Sequence, residues 1–316
     1  MTIARVLTVV EPGRLAWVER VLPGLGADDV LVETVAGAVS VGSEVPVVRG
    51  LARSAAPAVY PTTTGYESIG VVRDRGKAVS TLAPGDRVVA TYGHATAAIV
   101  PVAKAIPVPR DIPDIVALLA ILTCDVAKGL RKLQAQPAEA LLVTGAAAIG
   151  LLTIWTARQR SFRWVDAVEP RLERRALAIA IGARRAVGPG DGDALEERYP
   201  LGIECSSADD GFRLLQARMA AGGRICVLSD GNAGPLTLAP EFHARELAIV
   251  GSSDGEDYPG HARWLFARPQ PQLDKLTAVF DLRVPAARLL DTFERLAAGR
   301  ITPVKIFVDY APESLP

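Results

Sequence analysis

The stretch from Ala140 to Arg158 constrains this chain more than any other. Leu141 to Val143 is a short apolar run of the kind that fills a strand buried on both faces. Gly145 interrupts it, and from Ile149 onward Leu152 and Trp155 recur at helical spacing. Strand, tight glycine turn and helix, in that order, open a βαβ unit. The free N–H groups and dipole at such a helix start suit a pyrophosphate. The turn reads Gly145-Ala146-Ala147-Ala148-Ile149-Gly150, so Ala147 takes the second glycine slot of G-x-G-x-x-G. That slot is normally bare because the backbone there approaches the phosphates closely. The pattern predicts Thr144, Gly145, Ala147, Ala148, Ile149 and Gly150 around a dinucleotide; a turn that has lost its nucleotide is the alternative.

A second buried run, Trp164 to Val168, ends at Glu169, 19 positions after Gly150. An acid at about that distance commonly holds the adenosine ribose hydroxyls. Its charge favours NAD over NADP, whereas Arg171, Arg174 and Arg175 are placed to receive a 2′-phosphate or to form a solvated helix face. The cofactor is therefore NAD or NADP, with NAD slightly favoured.

With 35 basic and 35 acidic residues the chain carries no electrostatic footprint for nucleic acid or an anionic membrane. No apolar run reaches the length of a membrane span, and the N-terminus lacks a secretory pattern. Cys124, Cys205 and Cys226 have no pairing spacing and read as reduced, buried thiols in a cytoplasmic protein. Residues 1–110 are broken by Gly and Pro into short strand candidates, among them Val6–Val10, Leu15–Val18, Val30–Val35 and Ser68–Arg73. Ile115–Leu133 reads as a helical bridge. From about 139 to 253 strands and helices alternate, with helices at Arg171–Gly182 and Asp209–Ala221. A helix over Val284–Ala298 and a last strand over Val304–Asp309 close the chain.

Several motifs, in this order and spacing, resemble the medium-chain dehydrogenase/reductase superfamily, which holds zinc alcohol dehydrogenases and quinone oxidoreductases. They are Gly65-Tyr-Glu-Ser-Ile-Gly-Val-Val72, Pro84-Gly-Asp-Arg-Val88, the Gly145 turn, Gly222-Gly-Arg-Ile225, Glu246-Leu-Ala-Ile-Val-Gly251 and Gly299-Arg-Ile-Thr-Pro-Val-Lys-Ile306. The resemblance implies an α/β fold: a Rossmann doubly wound parallel sheet inserted in a β-rich GroES-like catalytic domain. The implied boundaries are 1–121 for the GroES-like part, 122–258 for the nucleotide-binding domain and 259–316 for a return segment. It implies hydride transfer between a nicotinamide and a small-molecule alcohol, ketone or activated alkene in an interdomain cleft, and a homodimer. A repurposed, non-redox descendant of the fold is the competing reading. The pair Ser40-Val-Gly-Ser-Glu44 and Gly65-Tyr-Glu-Ser68 is also similar to the bacteriochlorophyllide a dehydrogenase branch.

Zinc members carry a cysteine where this chain has Ser40 and a histidine where it has Tyr66. Hydroxyls and phenols are poor zinc ligands at neutral pH, so no metal is expected. By the resemblance Tyr66, Ser40, Glu67 and Asp125 are the catalytic candidates, with Ser43 and Glu44 on the same side. Tyr66 either orients a substrate oxygen and passes a proton or fills the vacated metal position. Glu67 either takes part or pairs with a buried arginine. Asp125 is either a base beside the nicotinamide or a helix N-cap, the commoner use of such an Asp. Lys305 matches a position that reaches the cofactor pyrophosphate, and Cys205, after Glu204, one that lines the cofactor cleft.

Overall fold

The computed structural model describes residues 2–51, 59–136, 138–195, 198–229 and 234–311. In chain order the strands are β1 (Ile3–Glu11), β2 (Arg14–Val21), β3 (Asp29–Val39), β4 (Thr62–Thr63), β5 (Glu67–Arg75), β6 (Arg87–Ala90), β7 (Ala97–Pro101) and β8 (Ile106–Pro107). Then come β9 (Ala140–Thr144), β10 (Trp164–Val168), β11 (Arg185–Val187), β12 (Tyr199–Glu204), β13 (Met219–Val227), β14 (Ala248–Gly251), β15 (Leu282–Pro285) and β16 (Ile306–Asp309). The chain forms two compact units. The first holds residues 1–120, 258–269 and 280–316, and the second 121–257 and 270–279. The helix Gln270–Thr277, which the sequence reading gave to the return segment, thus belongs to the second unit. It is tied there by the Trp155 indole donating to the Gln272 carbonyl at 2.9 Å, with Leu273 and Leu276 buried.

In the first unit one sheet runs β15-β16-β3-β5-β6-β8, with β7 also on β3, and a second runs β2-β1-β4. Strand β3 has eleven residues and serves three partners, made possible by irregularities at Leu31/Val32 and Thr34/Ala36 that bend it. Its register sets Val39 opposite Ile306 and Ala38 opposite Glu67. The end of β3 and the starts of β5 and β16 therefore lie side by side. Below them Leu7, Val39, Val45, Leu289, Phe293, Ile306 and Val308 form a buried cluster.

The second unit is a six-stranded parallel sheet in the order β11-β10-β9-β12-β13-β14. Counted from β9 this is 3-2-1-4-5-6, the Rossmann order, whose switch point falls between β9 and β12. Every residue of β9 is buried, as its unbroken apolar run requires.

Three local expectations are corrected. Met219 to Ala221 belong to strand β13, not to the helix, which is Asp209–Arg218; Met219 pairs with Tyr199 across the sheet. Val284 lies in β15 opposite Val308, and the helix starts only at Leu289. The bridge Ile115–Leu133 is two helices, Asp114–Ala117 and Ala120–Lys132.

All three cysteines are buried. Burial pushes the thiols of Cys124 and Cys226 up to about 11, and that of Cys205 well above its ordinary value. At pH 8 about one thiol in a thousand is then ionised, and the thiolate is the reactive form. A disulfide reagent should label the native protein at least about 100-fold more slowly than a free thiol, and should count three thiols after denaturation. Labelling of the native chain within minutes would contradict this placement.

Candidate active site

In the second unit the turn after β9 leaves a bare helix start. Gly145 has φ +86°, and a Cβ there would sit 2.7 Å from the Ser206 backbone. A Cβ on Gly150 would meet the Gly145 carbonyl oxygen at 1.9 Å. Both glycines are thus required by close backbone approach, at the first and third positions of the fingerprint. Ala147 is the extended N-cap of the helix Ala148–Gln159 and offers no side-chain cap. The N–H groups of its first turn are therefore open to an anion. Ala147, Ala148 and Ile149 are partly exposed, Thr144 is buried at the end of β9, and Cys205 backs Gly150.

Glu169 is tied into this turn. One carboxylate oxygen accepts the Ala146 N–H at 2.7 Å and the other the Arg171 N–H at 3.0 Å, and the residue is only 3% exposed. Arg171 is the N-cap of the helix Leu172–Ile181; Arg174 lies in its first turn, and Arg175 pairs with Asp191 at 3.6 Å. Sequence reasoning passed over Glu204 as an organiser. It is fully buried at the end of β12 and accepts from the Ser206 and Ser207 N–H groups and from the Ser206 and Ser229 hydroxyls. The glutamate holds the loop that closes on Gly145. The signal was present as one acid among serines, Glu204-Cys-Ser-Ser207 and Ser229.

Asp125 is not an N-cap. The helix begins at Ala120, five residues earlier, which places Asp125 in its interior.

In the first unit Ser40, Tyr66, Glu67 and Lys305 converge where β3 ends and β5 and β16 begin. The Lys305 ammonium donates to Ser40 Oγ at 2.7 Å and to Glu67 Oε2, and Ser40 Oγ donates to the same carboxylate oxygen at 2.8 Å. Lys305 has no exposed surface, and Glu67 is equally buried. Lys305 therefore spends its charge on Glu67 in the first unit, where the sequence reading gave it to a pyrophosphate. The cation paired with Glu67 is this lysine and not an arginine. Glu67 Oε1 has no partner among the described residues. Burial pushes the Glu67 carboxyl above its ordinary range, while the charge and hydrogen bond of Lys305 pull it back down.

Ser40 precedes the helix Val41–Val48 without capping it, because its hydroxyl is committed to Glu67. Its N–H is received instead by Glu44 Oε1 at 2.7 Å. Glu44 Oε2 accepts from Thr64 at 2.8 Å and from His94 Nε2 at 2.9 Å. Gly65, with φ +90°, leaves room for that imidazole, since a Cβ would stand 2.7 Å from it. His94, a histidine with no partner near it in the sequence, is the far end of this buried network.

Tyr66 lies at the partly open side of the cluster, 3.1 Å from the Ser43 hydroxyl. Burial and the neighbouring Glu67 charge push its phenol well above the ordinary value, against hydrogen bonds from Ser40 and Ser43. At neutral pH it is a neutral O–H, able to donate to an oxygen.

Residues 26–109 match the alcohol dehydrogenase GroES-like domain. The chain is 26% identical over 255 residues to L-threonine 3-dehydrogenase of Anaeromyxobacter dehalogenans (strain 2CP-C), covering 66% of this chain and 70% of that one. Its fold is similar to an alcohol dehydrogenase from Escherichia coli CFT073 complexed with NADH (TM-score 0.83, 19% identity, 98% of this chain and 100% of that one). It is equally similar to a Sinorhizobium meliloti 1021 protein bound to NADP (TM-score 0.83, 20% identity, the same coverage). The chain is thus similar to alcohol dehydrogenase-type oxidoreductases, by domain match over residues 26–109 and by fold along nearly its whole length.

Proposed function

We propose that this protein is an NAD(P)-dependent oxidoreductase that interconverts an alcohol and a ketone, or reduces an activated alkene, without zinc. The observation that carries the reading is the neutral Tyr66 phenol, held by Ser43 beside the Ser40–Glu67–Lys305 cluster. When bound, the nicotinamide supplies or takes up the hydride. Ala147, Ala148 and Ile149 offer N–H groups to the pyrophosphate, and Gly145 and Gly150 let the backbone come close. Tyr66 hydrogen-bonds the reacting oxygen and stabilises the charge that develops on it. Ser43 holds the phenol in place.

The donor set argues against zinc. Ser40 and Tyr66 present a hydroxyl and a phenol where zinc prefers thiolate or imidazole, and Glu67 already carries an ammonium. The similarity to an L-threonine 3-dehydrogenase makes a hydroxy amino acid one substrate class to assay. The hydroxyethyl side chain of a chlorin, suggested by the Ser40–Glu44 and Gly65–Ser68 pair, is another. A homodimer is part of this reading and is checked by light scattering. Tyr66→Phe is the test: it should lower kcat about 10²- to 10³-fold while coenzyme affinity stays within about twofold. Full activity in Tyr66→Phe would remove Tyr66 from the reaction.

For coenzyme choice, Glu169 both shapes the turn and places a negative charge near its end. Glu169→Ser should weaken NADH binding by about 1.5–3 kcal/mol, as a charged acceptor of two backbone N–H groups is lost. It should also narrow any NADH over NADPH preference by removing charge repulsion. Titration of both coenzymes measures this; unchanged NADH affinity would mean that the turn holds its shape without Glu169.

A further inference from the structure

We infer that the Lys305 ammonium is this site's resident cation, occupying the position that a divalent metal ion would need and barring one from entry. Three observations support it. The ammonium lies 2.7 Å from Ser40 Oγ and touches Glu67 Oε2, so two candidate metal donors already converge on one positive centre. The centre is fully buried, and the β16-β3-β5 register fixes it from three adjacent strands. Glu67 Oε1 is buried without a partner among the described residues, so the cup offers more acceptor capacity than one ammonium uses. A side-chain cation cannot be chelated or exchanged, and it forbids a second positive ion at hydrogen-bond distance by direct repulsion. The inference rests on the reading of Ser40, Tyr66 and Glu67 as one site.

The test converts the donors and then vacates the lysine. Ser40→Cys with Tyr66→His supplies a thiolate and an imidazole beside Glu67, a donor set that zinc accepts. Zinc content after dialysis and cobalt(II) titration, read by the thiolate-to-cobalt absorption band, are measured on S40C/Y66H and S40C/Y66H/K305M. They are also measured on S40C/Y66H/K305Q, in which glutamine keeps a donor toward Glu67. Circular dichroism verifies each fold. With Lys305 retained, the double variant should bind metal at least about 100-fold more weakly than the vacated chains, which should hold about one equivalent. Tight, stoichiometric metal in the double variant with Lys305 present would overturn the inference by itself. Folded vacated chains that bind no metal would overturn it equally. Neither readout depends on coenzyme or turnover, so a failure of the proposed activity is separately visible in NADH titration of the native protein.

Discussion

Lys305→Met should destabilise the protein by about 3–5 kcal/mol at pH 8, the cost of leaving one member of a buried ion pair uncompensated. The carboxylate left behind is that of Glu67, buried with one oxygen already unpartnered among the described residues. The pH dependence has a definite sign. Burial raises the Glu67 carboxyl, and Lys305 is the main influence holding it down. Without the lysine, the folded-state value rises further above the unfolded one. A raised carboxyl contributes stability that is fully present below the unfolded value, about 4.3, and is lost as pH climbs through the folded value. The penalty should therefore be large at pH 8 and fade as pH falls toward 5. Combining Lys305→Met with Glu67→Gln should recover most of the loss at pH 8, because no charge is then buried. Urea unfolding of the three chains at pH 5.5 and 8 measures this. An equal loss at both pH values, with no recovery from Glu67→Gln, would mean that the lysine acts through packing alone.

Gly150→Ala should abolish tight coenzyme binding, with an affinity loss on the order of 100-fold, about 2.7 kcal/mol. The added Cβ would lie 1.9 Å from the Gly145 carbonyl oxygen, a backbone atom that cannot swing aside. The helix must move away from β9, which spreads the N–H groups offered to a pyrophosphate and costs about 2–4 kcal/mol of stability. Gly190→Ala is the control, since a Cβ there meets nothing within 4 Å. Titration calorimetry with NADH and thermal unfolding of both variants test the contrast. Native-like binding by Gly150→Ala would place the coenzyme elsewhere.

The turn was legible in the sequence because strand, glycine turn and helix are contiguous, and the fold keeps them so. Ser40 and Tyr66 were legible as departures within recognisable motifs, and Glu67 as the motif residue beside them. What was hidden was pairing across distance. Lys305 and Glu67 are 238 positions apart, and only the β16-β3-β5 register brings them together. His94 is found only through Glu44, 50 positions earlier, because a lone histidine carries no spacing signal. Asp125 misled because a capping residue is defined by where the helix starts, and the apolar residues from Ala120 extend this helix in front of it. Val284 and Met219 sit at strand–helix junctions, where sheet pairing with Val308 and Tyr199 outweighed local helical character.

Zinc-independent catalysis is tested most directly by coenzyme-dependent turnover of an alcohol and ketone panel by the native protein before and after exhaustive dialysis against a chelator. The expected result is NAD(P)H-linked interconversion whose rate is unchanged by chelation and by added zinc, in a protein holding far less than one zinc per chain. Activity that disappears on chelation and returns with stoichiometric zinc would contradict it.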